Sequence, residues 1–160
     1  IYTLSLHDAL PIYQPAPRAG AEPREGSPGA DSREERALEA LDGAVGRLGG
    51  GPRRGQREMT RRVARAIASG THLLAQAGTG TGKSLAYLVP AMIHAVDDGE
   101  RAVVSTATLA LQRQILTRDA PLAADAVEAL TGRRPVVALL KGWQNYLCRH
   151  RVAEIGRAHV

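Results

Sequence analysis

Apolar positions recur at helical spacing along much of the chain. In Glu34–Leu48, leucine and valine return every three or four residues, which predicts a helix that ends at the run Gly49-Gly50-Gly51-Pro52. Further helices are predicted over Arg57–Ser69, Lys83–Val96, Thr108–Arg118 and Pro121–Leu130. The arginines of the second helix lie mostly away from its apolar stripe, and a basic face of this kind is most often solvated surface.

Three short apolar runs between these helices are typical of buried strands. They are Thr71–Gln76, Arg101–Ser105 and Pro135–Leu140. Strands that alternate with helices usually pair side by side through right-handed crossovers. The pattern therefore predicts an α/β fold with a parallel sheet of about three strands.

Three stretches are expected to lie outside this domain. Tyr13–Arg33 is rich in proline, glycine and charge, which is typical of a disordered linker. Ile1–Ile12 and Glu154–Val160 can both be encoded by one short DNA element in opposite orientations, and that element resembles a sequencing-library adapter. We interpret these ends as scars on a truncated reading frame, which leaves residues 34–153 as the domain.

Composition narrows the class of protein. The 160 residues include one cysteine, which excludes an internal disulfide framework and indicates a reducing cytosolic setting. The absence of phenylalanine from the sequence predicts a core of Ala, Leu and Val. No run approaches the roughly 18 apolar residues that a membrane span requires, so no membrane partner is expected. A net charge of +5 and a pI near 10.0 favour nucleic acid or nucleotide phosphates as partners.

The strongest chemical signal is a glycine-rich segment between the first predicted strand and the following helix. It reads AGTGTGKS and fits a phosphate-binding (Walker A) loop that has Ala in place of the first Gly. Glycines allow the backbone to wrap a phosphate, toward which successive N–H groups and the helix dipole then point. The residues expected to hold the nucleotide are Ala77, Gly78, Thr79, Gly80, Thr81, Gly82, Lys83 and Ser84.

Two residues at the end of this loop are the catalytic candidates. Lys83 is expected to reach the β- and γ-phosphates, and the Ser84 hydroxyl is expected to ligate Mg²⁺. A loop of this kind is shared by kinases, GTPases and motor ATPases, so it does not by itself select a reaction.

The segments on either side of the loop help to choose among these classes of P-loop protein. Arg53–Met59 resembles the R-P-x-Q-x-x-M motif of the DinG/XPD-type helicases of superfamily 2, although Arg54 stands where the family has proline. The glutamine of that motif recognises adenine. The resemblance therefore assigns Gln56 to base selection and favours ATP, because a carboxamide can both donate to and accept from the adenine edge. The alternative is an ordinary surface glutamine.

The segment Val104–Gln114 is similar to the same family's S-T-x-T-x-x-L-Q-x-Q motif. Hydroxyl groups and a helix N-terminus at the end of a strand are suited to holding a nucleic-acid phosphate. Under the resemblance, Thr106, Thr108 and Gln112 lie along a single-strand track. Simple capping of the helix by a threonine is the alternative, and one hydroxyl can serve both roles.

The segment Leu140–Cys148 resembles the family's K-G-x-x-N-Y-L-C motif, with Trp143 where arginine is common. The cysteine of that motif is the first of four thiolate ligands of a [4Fe–4S] cluster. The resemblance thus assigns Cys148 to iron. This chain, which has one cysteine, is not expected to assemble the cluster alone.

The resemblance implies a partial RecA-like P-loop domain from a bacterial, cytoplasmic ATP-dependent DNA helicase. Its cofactors would be ATP, Mg²⁺ and the cluster, and its partners single-stranded DNA and duplex junctions, with a monomer as the expected state. The chain has no Asp-Glu-x-His box, so the fragment alone is expected to be inactive. The alternatives are another P-loop ATPase or kinase, or a non-catalytic nucleotide- or single-strand-binding module.

Overall fold

A computed structural model describes residues 29–51, 53–78, 80, 82–142, 145–150 and 152. Its principal elements are helices: α1 (Gly29–Gly46), α2 (Arg54–Ser69), α3 (Lys83–Asp97), α4 (Leu109–Gln114), a π-helix (Ile115–Asp119) and α5 (Ala120–Thr131). Four of the five predicted helices are confirmed with shifted ends, and the fifth, Thr108–Arg118, is divided between α4 and the π-helix. The scars at residues 1–12 and 154–160 and the linker up to residue 28 lie outside the described residues, while residues 29–33 belong to α1.

The core lies between α1, α2, α3 and α5. Helix α1 packs against each of the other three, and α3 packs against α2 and α5. The largest fully buried apolar side chains are Leu41, Val89 and Val127. Alanines fill many of the remaining core positions, as expected for a chain without phenylalanine. Small side chains let helix backbones approach closely, and Tyr87 packs against this core while only partly buried.

The predicted parallel sheet is wrong: the described part of the chain contains no β-strand. Apolar side chains in the three predicted strands are largely exposed, including Val103 at 83%, Val136 at 96% and Leu140 at 86%. A strand exists only when its backbone N–H and C=O groups pair with a neighbour. The apolar runs predicted the residue types of strands, but these segments do not pair in the structure, and the described fold is helical.

The predicted helix over Thr108–Arg118 is interrupted by a change of helix type. Its first part is α4, and the π-helix then continues directly into α5. Helix α4 packs against the π-helix and against none of the other described helices, whereas the π-helix also packs against α3 and α5. The π-helix therefore joins α4 to the core.

Neighbouring carboxylates offset part of the positive charge on the basic face of α2. Arg65 Nε donates to Glu34 Oε1 of α1 at 2.6 Å, and Glu34 is buried. Within α2, Arg62 Nε donates to Glu58 at 2.6 Å and Arg61 donates to the same carboxylate at 2.9 Å. The hydrogen bond from Arg62, with the nearby charges, holds the pKa of Glu58 below its usual range despite some burial. The Arg65–Glu34 pair attaches α2 to α1, and the pairs with Glu58 offset part of the charge within α2.

No helix in the described ranges has both the length and the apolar character that crossing a membrane requires.

Candidate nucleotide-binding site

The predicted phosphate loop leads directly into α3. The helix begins at Lys83, and Gly82 precedes it with a φ of 76°, in the left-handed region. Gly80 has a φ of 74°. Left-handed backbone favours glycine because a Cβ would crowd the following carbonyl. Thr79 and Thr81 lie outside the described residues, whereas Ala77 and Gly78 are in the irregular segment before the turn.

Gln56 of α2 contacts this loop. Its side chain is buried, and Nε2 donates a hydrogen bond of 2.9 Å to the carbonyl oxygen of Gly82. A Cβ placed on Gly82 would overlap this amide nitrogen and would lie 2.9 Å from Gln56 Cδ. Glycine at position 82 is thus required both by its φ and by the close approach of Gln56. The alternative of an ordinary surface glutamine does not fit this burial.

Gln56 is held from the other side by the next turn of its own helix. Thr60, which is fully buried, donates its hydroxyl to the backbone carbonyl of Gln56 at 2.9 Å. Helix α2 packs against α3. The buried polar groups in this contact are all hydrogen-bonded among the described residues.

Arg53 is a loop contact that sequence reasoning missed. Its guanidinium donates to the carbonyl oxygen of Gly80, just before α2 begins. Arg53 and Gln56 therefore hold two carbonyls of the loop, from one end of the same helix. The signal that could have found Arg53 is its position three residues before Gln56 in the same motif-like segment.

Lys83 reaches back across the loop. Its Nζ donates to the carbonyl oxygen of Ala77 at 2.6 Å, so the ammonium group closes the turn between the first and seventh positions of the motif. The contact keeps the Lys83 ammonium group over the loop. An anion bound in the loop would compete with the neutral Ala77 carbonyl for this ammonium group.

Tyr87 lies one helical turn beyond Ser84 on α3. Burial raises the pKa of the Tyr87 phenol, the nearby Ser84 hydroxyl acts in the opposite direction, and the negative charge of Asp119 raises it further. Asp119 belongs to the π-helix, which packs against the helix that carries Lys83 and Ser84.

The three residues assigned to the single-strand track lie around the start of α4. The Thr108 hydroxyl accepts a hydrogen bond of 3.2 Å from the N–H of Leu111 and thereby caps the helix. The Thr106 hydroxyl donates to the carbonyl of Thr108 at 3.4 Å, and the N–H of Gln112 donates to the same carbonyl at 3.0 Å. The structure thus brings Thr106, Thr108 and Gln112 together and shows that Thr108 caps the helix. Their contact with nucleic acid stays a prediction.

Cys148 is an exposed free thiol. Among the described residues, no group of three or more His, Cys, Asp and Glu side chains is placed to hold a metal ion. The residues present therefore do not fit an iron–sulfur cluster, which needs four thiolates.

The comparisons with known proteins agree on one family. The sequence profile described as "DEAD/DEAH box helicase" matches residues 57–148. The chain is 57% identical over 114 residues to the ATP-dependent helicase DinG of Mycobacterium tuberculosis, which covers 71% of this chain and 17% of that protein.

Two other relatives are more distant. The ATP-dependent DNA helicase YoaA of Escherichia coli is 44% identical over 103 residues, covering 64% of this chain and 15% of that protein. The 3'-5' exonuclease DinG of Bacillus subtilis is 38% identical over 103 residues, covering 64% and 11% respectively. No solved structure matches the chain.

The matched region starts just after Gln56, contains the whole phosphate loop and ends at Cys148, and it covers more than half of the chain. This chain belongs to the DEAD/DEAH box helicase family.

Proposed function

We propose that this chain is the nucleotide-binding part of an ATP-dependent DNA helicase of the DinG type. The chain spans about 17% of the length of the M. tuberculosis relative, so the activity belongs to a longer parent protein. That parent would use ATP hydrolysis to move along single-stranded DNA and unwind duplexes at junctions, in the bacterial cytoplasm. The observation that carries the proposal is the contact of Gln56 and Arg53 with the loop that begins α3.

In this proposal the loop binds the phosphates of ATP. Ala77 to Ser84 form the cradle, Lys83 transfers its hydrogen bond from the Ala77 carbonyl to a phosphate oxygen, and the Ser84 hydroxyl ligates Mg²⁺. Bound Mg²⁺ neutralises charge that develops on the phosphates. The proposal also has Gln56, whose amide donates to the Gly82 carbonyl at the start of α3, recognise adenine.

The proposal separates binding from catalysis. Residues 34–153 supply the nucleotide cradle and, through Thr106, Thr108 and Gln112, part of the single-strand track. The chain has no Asp-Glu-x-His box to orient the attacking water. Hydrolysis is therefore assigned to the parent protein.

The experiment that tests the proposal is Lys83→Ala in the full-length parent. We expect ATP turnover to fall to background with the fold intact, because the variant removes the cation that faces the transferring phosphate. Phosphate release is measured with and without single-stranded DNA, and circular dichroism checks the fold. Arg47→Ala is the control, because it removes one positive charge from the exposed end of α1, beside Asp125. DNA-stimulated hydrolysis at the wild-type rate in Lys83→Ala would refute the assignment.

The iron–sulfur cluster is a separate proposal that rests on the motif around Cys148. We propose that this thiol is the first of four ligands in the full-length parent, whose remaining cysteines this chain does not contain. Cys148→Ser in that protein is expected to abolish the brown absorbance and to impair unwinding more than ATP hydrolysis. Iron and sulfide are quantified after anaerobic purification. A wild-type parent that is fully active without iron would exclude the cluster.

A further inference from the structure

Asp119 is a buried carboxylate that the proposed nucleotide chemistry does not use. The residue is 4% exposed and ends the π-helix. Its Oδ2 accepts a hydrogen bond of 3.0 Å from Nε2 of Gln114, the last residue of α4. Its Oδ1 lies 3.5 Å from Nε of Arg118, whose side chain is mostly exposed. Burial of a carboxylate is costly unless it is hydrogen-bonded and paired, so the contact with Gln114 is a substantial part of what stabilises this position.

The spacing of the two partners depends on the π-helix. Residues five apart in an α-helix are separated by about 140° around the axis, so their side chains point to different sides. A π-helix forms i→i+5 hydrogen bonds and brings residue i+5 back toward residue i. Gln114 directly precedes the π-helix, and Asp119, five residues later, ends it. Their hydrogen bond therefore depends on the π-helical turn.

The π-helix also determines where α4 lies. Helix α4 packs against the π-helix and against none of the other described helices, whereas the π-helix packs against α3 and α5. The negative charge of Asp119 helps to raise the pKa of Tyr87 on α3, which is consistent with this packing. A return of the π-helix to regular α-helix would rotate α4 about the helix axis by about 100° per residue of register. Such a rotation would move the Thr108 and Gln112 side chains relative to α3.

We propose that Asp119 and Gln114 are a positioning pair that holds the π-helix and thereby fixes α4 as a platform for single-stranded nucleic acid. This inference rests on the proposed function, because it concerns the segment assigned to the single-strand track. Under it, the pair acts through α4 and does not touch the nucleic acid. The same pair fixes the track in relation to α3, the helix that begins at the phosphate loop.

The first test needs no ligand. Hydrogen exchange of the amides of α4 is measured by mass spectrometry in the full chain and in its Gln114→Ala variant. Gln114 is exposed, so this substitution leaves the core packing intact. We expect exchange in α4 to become about 5-fold to 10-fold faster, the equivalent of losing a hydrogen bond of about 1 kcal/mol, with α3 unchanged. Unchanged exchange in α4 would overturn the inference.

The second test measures binding of an oligo-dT single strand by the full-length parent protein and its variants. We expect Asp119→Ala and Gln114→Ala to weaken binding several-fold, whereas Asp119→Asn, which keeps an oxygen acceptor for Gln114, restores most of it. Asp125→Ala is the matched control, because Asp125 is a partly exposed carboxylate of α5 that pairs with Arg134. Affinity for a fluorescent ATP analogue should not change in any of these variants.

The outcomes separate the inference from the proposed function. If the wild-type parent protein binds no oligo-dT, the single-strand track is refuted, and with it the platform role of α4. If the wild type binds and the Asp119→Ala and Gln114→Ala variants bind equally well, the positioning pair is refuted and the track stands. A weakened Asp119→Ala that Asp119→Asn does not restore would also overturn the inference, since it would reveal a need for the charge.

Discussion

The contact between Gln56 and Gly82 makes a quantitative prediction about the phosphate loop. Gly82→Ala adds a Cβ to a residue with a φ of 76° and drives it into the buried Gln56 amide. The matched control is Gly80→Ala, because Gly80 has a φ of 74° and an added Cβ would meet nothing within 4 Å. The two variants share the backbone penalty and differ in the clash.

The magnitudes follow from these two terms. Left-handed backbone costs an alanine roughly 1–2 kcal/mol relative to the right-handed form, and this is the expected destabilisation for Gly80→Ala. Gly82→Ala adds the loss of the buried hydrogen bond between Gln56 and the Gly82 carbonyl, which is worth about 1–3 kcal/mol when a partner is left unsatisfied. We therefore expect Gly82→Ala to lower the free energy of unfolding by about 2–5 kcal/mol.

The assay is urea unfolding of the full chain, followed by circular dichroism at 25 °C. The double variant Gln56→Ala/Gly82→Ala closes the cycle, because removing the Gln56 amide leaves the added Cβ with space. The effect of Gly82→Ala in that background should shrink to that of Gly80→Ala. If Gly82→Ala and Gly80→Ala destabilise the wild-type chain equally, Gln56 does not restrict position 82 and the reasoning fails.

Two further predictions concern other polar contacts. In the full-length protein, Gln56→Ala should weaken ATP binding about 3-fold to 10-fold, which is the value of one neutral hydrogen bond, and should reduce the preference for ATP over GTP. Both effects are measured by competition against a fluorescent ATP analogue. An unchanged preference for ATP would show that Gln56 does not select the base. Burial raises the pKa of Asp98, but hydrogen bonds and charges from His94 and Arg33 outweigh it and leave the pKa below its ordinary value of 3.8. A carboxylate whose pKa is lowered by folding stabilises the fold at pH values above its unfolded pKa, and this stabilisation is lost as the pH falls through the folded pKa. Asp98→Asn should therefore lower the free energy of unfolding near neutral pH, by less than about 1 kcal/mol. Urea unfolding below pH 3.8 should show a diminishing difference, and an equal difference at all pH values would contradict the assignment.

The helices could be predicted from the sequence because their signal is local. Apolar spacing and the glycines at helix ends located the five α-helical regions, and α3 begins at Lys83 as predicted. The strands could not be predicted in the same way, because an apolar run does not specify a partner for its backbone. Val103 and Val136 have the residue type of strands and are exposed in the structure.

The candidate site was only partly visible in the sequence. The motif located Gln56 and Lys83, but their bonds to the carbonyls of Gly82 and Ala77 depend on how α2 packs against α3 and how the loop turns. The same limit applies to Asp119. Its burial and its bond to Gln114 arise from a π-helix, and apolar periodicity does not distinguish a π-turn from an α-turn.

The paired arginines of α2 bear on how the protein would respond to salt when it binds a polyanion. A free arginine that neutralises a phosphate releases a condensed counterion from the nucleic acid, and each such contact steepens the decline of affinity with salt concentration. Arg62 and Arg65 already face carboxylates at 2.6 Å. A phosphate would have to displace Glu58 or Glu34, so the exchange would yield little net gain in charge neutralisation. Arg62 and Arg65 therefore raise the formal charge of the chain without contributing in proportion to the salt dependence of nucleic-acid binding.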